Sequence, residues 1–235
     1  MAEGRMAEGR MAGLALLHLC DSAFPLGSFA YSDGLEAAAT DGRVASTNDL
    51  RAWIDACLDE SIGRMEGPAV WQAWGAVADG DWRALELLDD ELTALRPSSG
   101  ARRSTRAMGA RLLTTWQALS PDPRLADLVT RAHEGRLAPV LPIAFAVVCA
   151  CAGVDRRRAV DAFAYTRLAA TISAAMRLIP VGQSDAHALL ARTLDRVPAV
   201  VDRIIERDAA VESFSPALDI EMMRQQHLHS RLFRS

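Results

Sequence analysis

The stretch that decides the fold is Leu137-Ala-Pro-Val-Leu-Pro-Ile-Ala-Phe-Ala-Val-Val-Cys-Ala-Cys-Ala-Gly-Val154, which carries no charge along its length. It is hydrophobic all round rather than on one stripe, the mark of a helix enclosed by protein on every side. Pro139 and Pro142 interrupt it, and it falls short of the roughly 20 apolar residues that a bilayer core demands. A central buried helix needs amphipathic helices around it, and the flanking sequence supplies them.

On the N-terminal side, Ser46-x-x-Asp49 reads as a capping box. After it, Leu50, Trp53, Ile54, Cys57, Leu58, Ile62 and Met65 recur at three- and four-residue steps, the spacing of one apolar helix face. Gly67-Pro68 is expected to break this helix, and Val70, Trp71, Trp74 and Val77 to start another that stops at Asp79-Gly80. Further helices are predicted from Trp82 to Leu95 and from Arg102 to Leu119.

On the C-terminal side, Val160, Phe163, Ala164, Leu168, Ile172, Ala175, Met176 and Ile179 share one side of a helix from Arg158 to Ile179. Arg167 falls on that same apolar side, with no partner visible in the sequence. Ile179-Pro180-Val181-Gly182 then breaks the chain before a helix from Asp185 to Arg196; Pro198 begins another and Ser215-Pro216 caps the last. No β-alternation appears. The expectation is an all-α, single-domain bundle of roughly eight to ten helices over residues 11–235. Met1–Arg5 is repeated as Met6–Arg10. Residues 1–10 are therefore expected to be an unstructured extension, with Met1, Met6 and Met11 as alternative starts.

A chain of 235 residues buries enough surface to stand without disulfide or metal staples. All 26 of its basic residues are arginine. Without lysine there is no Walker A phosphate loop, no Schiff base and no protein-kinase site. The net charge of −4 argues against general nucleic-acid binding. Cys20, Cys57, Cys149 and Cys151 show no secreted-framework spacing and read as buried thiols of a reducing, cytoplasmic compartment, with no membrane attachment.

Most candidate chemistry has a plainer reading. Ser184, Asp185 and His187 resemble members of a hydrolase triad, but no Gly-x-Ser-x-Gly elbow surrounds the serine; a helix cap with an acid in the first turn accounts for them. Cys149 and Cys151, two apart on a helix, point in opposed directions. His227 and His229 could converge on a metal only in extended chain, and nothing nearby supplies further ligands. Asp89-Asp90-Glu91 reads as a solvated acidic run. Two segments resist such explanations. Phe24–Glu36 combines a Pro-Gly turn, aromatics and a glycine entering a helix, with Ser32 as its cap. From Met222 onward there are Arg224, Arg231 and Arg234, two histidines and no acid, beside Leu232 and Phe233. Such a segment, from about residue 216, reads as a docking tail.

Those segments resemble a known family. Gly27-Ser-Phe-x-x-Ser-x-Gly-Leu-Glu36, Arg177-Leu-Ile-Pro-x-Gly-Gln183, Asp219-Ile-x-x-Met-Arg224 and Arg231-Leu-Phe-Arg-Ser235 are similar, in order and spacing, to motifs of the urease accessory protein UreF. Ser104-x-Arg106-x-Met-Gly109-x-x-Leu-Leu113 resembles a further block. Before the central helix, where the family often has an aromatic or His, this chain reads Leu137-Ala-Pro-Val140. The resemblance implies an all-helical, non-catalytic homodimer that binds the accessory protein UreD/UreH. It also implies recruitment of the GTPase UreG and transit of nickel to apo-urease, with no stably bound cofactor. Partner-facing residues implied are Phe29, Tyr31, Ser32 and Glu36 in the first motif and Arg177 and Gln183 in the second. Asp219, Arg224, Arg231, Leu232, Phe233 and Arg234 follow in the tail. The alternatives are a hydrolase built on Ser184 and His187, or a nickel carrier using His227 and His229.

Overall fold

The structure, a computed structural model, describes residues 2–208 and 210–234, without the side chains of residues 2–8 and 29. Its α-helices in chain order are α1 (Ala2–Cys20), α2 (Leu35–Thr40), α3 (Thr47–Ala56), α4 (Gly67–Asp79), α5 (Trp82–Ala94) and α6 (Ser99–Leu119). There follow α7 (Pro123–His133), α8 (Leu141–Cys151), α9 (Arg156–Leu178), α10 (Gln183–Leu194), α11 (Val197–Arg207) and α12 (Pro216–Gln225). Among the described residues there is no sheet, only a single bridge between Tyr31 and Arg234. The all-α expectation is met, with more and shorter helices than the periodicity resolved.

α8 is the axis. Every side chain from Leu141 to Ala150 is buried, because α4, α6 and α9 pack around it and α7 closes the remaining side. Phe145 meets Phe163 of α9 edge to face, with ring centroids 5.3 Å apart, an arrangement that suits the opposed charges of ring edge and face. No helix among the described residues is long and apolar enough to cross a membrane.

Local signals place most helix ends. Ser46 and Asp49 form the expected capping box of α3. Asp81, Ser98, Asp122 and Asp155 accept backbone N–H groups at the starts of α5, α6, α7 and α9. Gly80 ends α4 in the left-handed conformation, φ +70°, which costs glycine no Cβ clash.

Several expectations are corrected. Gly67-Pro68 does not break the chain: α3 runs into wide π-helical turns over Cys57–Glu66 and directly on into α4. Pro68 lies in the first turn of α4, at the junction with the π-helical turns. Glycine at 67 suits the close packing there, since a Cβ would lie 2.7 Å from the Ile62 carbonyl oxygen, besides meeting the movable end of Ile204 of α11. Residues 2–10 form the first turns of α1 rather than standing outside the helices; Ala, Glu, Met and Arg are good helix formers, and two isolated glycines do not outweigh them. Asp89 is not solvated. It is 1% exposed and accepts the N–H groups of Ala138 and Val140 at 3.0 and 2.9 Å, fixing the turn into α8. Burial pushes its carboxyl up to about 6, against the opposing pull of those two N–H groups. Ser184 is not a cap, since α10 starts one residue earlier behind Gly182. Ser215 precedes α12 as expected, but its hydroxyl donates to Asp219 Oδ2 at 3.2 Å rather than accepting a backbone N–H.

Candidate functional site

The segment after α1 turns through a short 3-10 helix, Ser28–Ala30, before α2, and three successive residues of it explain its composition. Ser32 is buried and donates its hydroxyl to Gln225 Oε1 of α12 at 3.1 Å; the same oxygen accepts the Gly34 N–H at 2.8 Å. Ser32 Oγ also accepts the Glu36 N–H at 3.4 Å, so it supports α2 from within rather than as its cap residue, which is Gly34. Gly34 has φ +89°, and a Cβ on it would lie 2.7 Å from the Met222 backbone nitrogen. Only glycine lets α2 and α12 come this close.

Between Ser32 and Gly34, Asp33 reaches into the interior. Its Oδ2 accepts Arg167 Nη2 at 2.7 Å, Arg167 Nε reaches Glu66 Oε2 at 3.2 Å, and Glu66 Oε1 receives Arg96 Nη2 at 2.9 Å. Here is the partner of the arginine on the apolar face of α9. Burial alone would raise the Glu66 carboxyl, but Arg167 and Arg96 outweigh it and hold it below the usual range. Burial likewise works against the Arg167 charge, and Asp33 and Glu66 more than offset it. With two cations and two anions the chain of ion pairs is balanced, as an interior site requires.

The C-terminal segment closes over α2. Glu36, 4% exposed, accepts the backbone N–H groups of Leu232 and Phe233, the latter at 3.2 Å. The Arg234 N–H donates to the Ala30 carbonyl at 2.6 Å, which completes the bridge from Arg234 to Tyr31. Phe233 is 3% exposed, and the Arg177 guanidinium of α9 stacks on its ring at 4.1 Å, a favourable cation–π geometry. Ion pairs Arg43–Glu221 and Arg224–Asp41 fasten α12 to the segment around α2.

Thus the structure gathers Tyr31, Ser32, Glu36, Arg177, Arg224 and residues 231–234 into one clasp. Ser32, Glu36 and Phe233 face inward, whereas Leu232 is 62% exposed. Arg231 and Arg234 are also exposed. Asp219, half-buried, lies at the far end of α12, where burial raises its carboxyl against the pull of Ser215 and Arg96. Gln183 is exposed at the start of α10. The Phe29 side chain lies outside the described residues. Sequence reasoning missed Asp33, Glu66, Arg96, Glu221 and Gln225. The signal for two of them, Asp33 and Glu66, was Arg167 itself, because a cation on an apolar face demands carboxylates opposite it.

Other candidates stay apart. Ser184, Asp185 and His187 are exposed on α10 with no hydrogen bond joining them among the described residues. His227 and His229 are exposed, and no group of three or more His, Cys, Asp or Glu among the described residues is placed to hold a metal. Cys149 is buried and Cys20, Cys57 and Cys151 partly so. Burial pushes Cys20 up to about 11 and Cys57 and Cys151 to about 12, and it also raises Cys149 well above the ordinary thiol value. All four are therefore protonated, unreactive thiols near neutral pH.

The family model described as UreF matches residues 44–194. A protein of Methylibium petroleiphilum named urease accessory protein UreF is 34% identical over 223 residues, covering 94% of this chain and 93% of its own length. The protein of the same name from Azoarcus sp. is 33% identical over 237 residues, covering 97% and 98%. That of Rhodopseudomonas palustris is 35% identical over 216 residues, covering 91% and 87%.

Proposed function

Since the chain belongs to the UreF family of urease accessory proteins, we propose that it acts without catalysis of its own, as a dimeric scaffold in urease maturation. In this role it binds UreD/UreH, and the complex recruits the GTPase UreG and passes nickel to apo-urease in a GTP-dependent step. Nickel is cargo here, in transit and not held as a resident cofactor. The absence of lysine leaves nucleotide hydrolysis to the partner, because no phosphate-loop lysine exists in this chain. The work belongs in the cytoplasm, where apo-urease would be met.

The observation that carries the proposal is the clasp. It fixes the backbone of residues 232–234 while presenting Leu232, Arg231 and Arg234 outward. Arginine is enriched at the hot spots of interfaces, and here two arginines flank an exposed apolar side chain on an ordered backbone. Apolar surface is also available for a second contact, such as a dimer interface. Met11, Leu14 and Leu17 of α1 are 65%, 60% and 71% exposed, beside a groove of about 740 Å³ between α1 and α9.

The test is co-purification with UreD/UreH. Truncation after Ser230 should leave a helical protein that no longer retains the partner. Leu232→Asp reaches the same end without touching the buried Phe233, and Arg231→Ala should weaken binding by about 2 kcal/mol. Unchanged retention by both the truncated chain and Leu232→Asp would remove the tail from the interface.

A further inference from the structure

Among the segments of this acidic chain that carry arginine and no carboxylate, two are neighbours in the fold. One is α6, with Arg102, Arg103, Arg106 and Arg111. The other is the tail from Met222 to Arg234. The fold lays them side by side. Ser98 Oγ, at the cap of α6, donates to the Met222 carbonyl at 3.2 Å. A groove of about 480 Å³ runs between them, with Arg103 on one wall and Arg231 and Arg234 on the other. A second groove of about 380 Å³ shares Tyr31, Ala107 and Arg234 with the first and continues to Arg111, whose Nη1 stands over Gly27 of the first motif.

No Asp or Glu among the described residues lines either groove. Arg103, Arg111 and Arg234 form no ion pair among the described residues, although arginines elsewhere, such as Arg43, Arg131, Arg157 and Arg196, are paired. Charges are screened over about 8 Å at physiological salt, so the local cluster is felt as cationic whatever the net charge. Guanidinium groups held in this way favour carboxylates, which they engage with two parallel hydrogen bonds. A long nucleic acid would also meet the acidic remainder of the surface. Among the described residues lining the grooves it would find no exposed aromatic platform either, because Phe233 is buried and Tyr31 half-buried. A short acidic stretch of a protein meets only the groove.

We propose that the groove between α6 and the tail receives an acidic segment of the partner protein, with its carboxylates on Arg103, Arg111 and Arg234. The proposal rests on the docking role of the tail and extends that interface onto α6.

The experiment uses the full chain with UreD/UreH and follows affinity against salt concentration. Arg103→Glu with Arg111→Glu, both at exposed positions, should weaken binding roughly tenfold or more, chiefly through slower association, and flatten the salt dependence. The neutral pair Arg103→Gln and Arg111→Gln should fall between, and decides the matter if the charge-reversed chain does not fold. Arg192→Glu on α10 is the control and should bind as the unaltered chain does. Wild-type affinity and salt dependence in a folded double variant would overturn the groove. If truncation after Ser230 still abolished binding in that case, tail docking would stand alone; if truncation also retained binding, both would fall. Unchanged partner binding, together with loss of affinity for a single-stranded RNA oligomer, would assign the groove to nucleic acid and overturn the proposal.

Discussion

Around α8 every buried side chain from Leu141 to Ala150 is apolar, whereas around the tail Phe233 is enclosed with buried charge and amide from Glu36, Glu221 and Gln225. The first region is held by area removed from water, which is non-directional and accumulates over many contacts. The second is held by a few directional hydrogen bonds and ion pairs, each worth little net but costly to leave half made. A segment fastened in the second way can be released at modest cost without disturbing the first, which suits a surface that changes partners. The ion-pair chain Asp33–Arg167–Glu66–Arg96 joins the two, since Asp33 belongs to the clasp segment and Arg167 to the helix packed on α8.

The comparison can be broken at either end. Phe163→Ala empties a fully buried site against Phe145 and should cost about 3–5 kcal/mol in urea unfolding. A loss below about 1 kcal/mol would mean that α8 and α9 are not tightly packed. Glu66→Ala leaves Arg167 and Arg96 buried without their shared carboxylate, and a loss of about 3 kcal/mol is expected by the same measurement. A small loss would show that water reaches the pair and that the junction is not interior.

Asp89 sharpens the contrast, as the polar device at the start of the apolar helix. Its folded pKa of about 6 lies above the ordinary 3.8, so the folded chain holds the extra proton between those values. Its contribution to stability is therefore greatest in acid, falls as pH rises through the window and is level above it. Comparing unfolding of the unaltered chain with Asp89→Asn across that window should reveal a difference in slope totalling about 2–3 kcal/mol. Parallel curves would contradict the burial of this carboxyl. The smallest effect is expected at the clasp. Glu36→Gln weakens the acceptor for Leu232 and Phe233 by about 1 kcal/mol. Amide exchange at those two residues should quicken while the midpoint of thermal unfolding barely moves. A clear drop in midpoint would place the tail in the cooperative core.

Much of this was legible in the sequence. The uncharged run 137–154, the capping box at Ser46 and the left-handed stop at Gly80 depend on neighbours a few residues away, and local rules suffice for them. The misreadings do not all have the same cause. Gly67-Pro68 has the composition of a break, Asp89 that of a solvated run and Ser184 that of a cap. For Asp89 a distant element changes the outcome, because the backbone at Ala138 and Val140 claims it, whereas at Gly67-Pro68 the π-helical turns over Cys57–Glu66 carry the helix through. Of the candidate site, the motif residues could be named in advance, but not which of them face inward. Ser32 and Glu36 look like surface polar residues until Gln225 and the Leu232 and Phe233 amides are placed against them.

By itself the sequence determined the helical class, the apolar axis, the exclusion of lysine chemistry and the family. The first three follow from composition and from a 3.6-residue periodicity, and the family from resemblance to known sequences, all carried by the chain in one dimension. Only the tertiary structure decided why Arg167 lies on an apolar face, how the tail is held, and that the acid-free α6 lies beside the acid-free tail. Those are matters of what burial brings within a few ångströms. Charge and hydrogen-bonding groups take their energy from that distance and from the water they lose, neither of which is written in the order of residues.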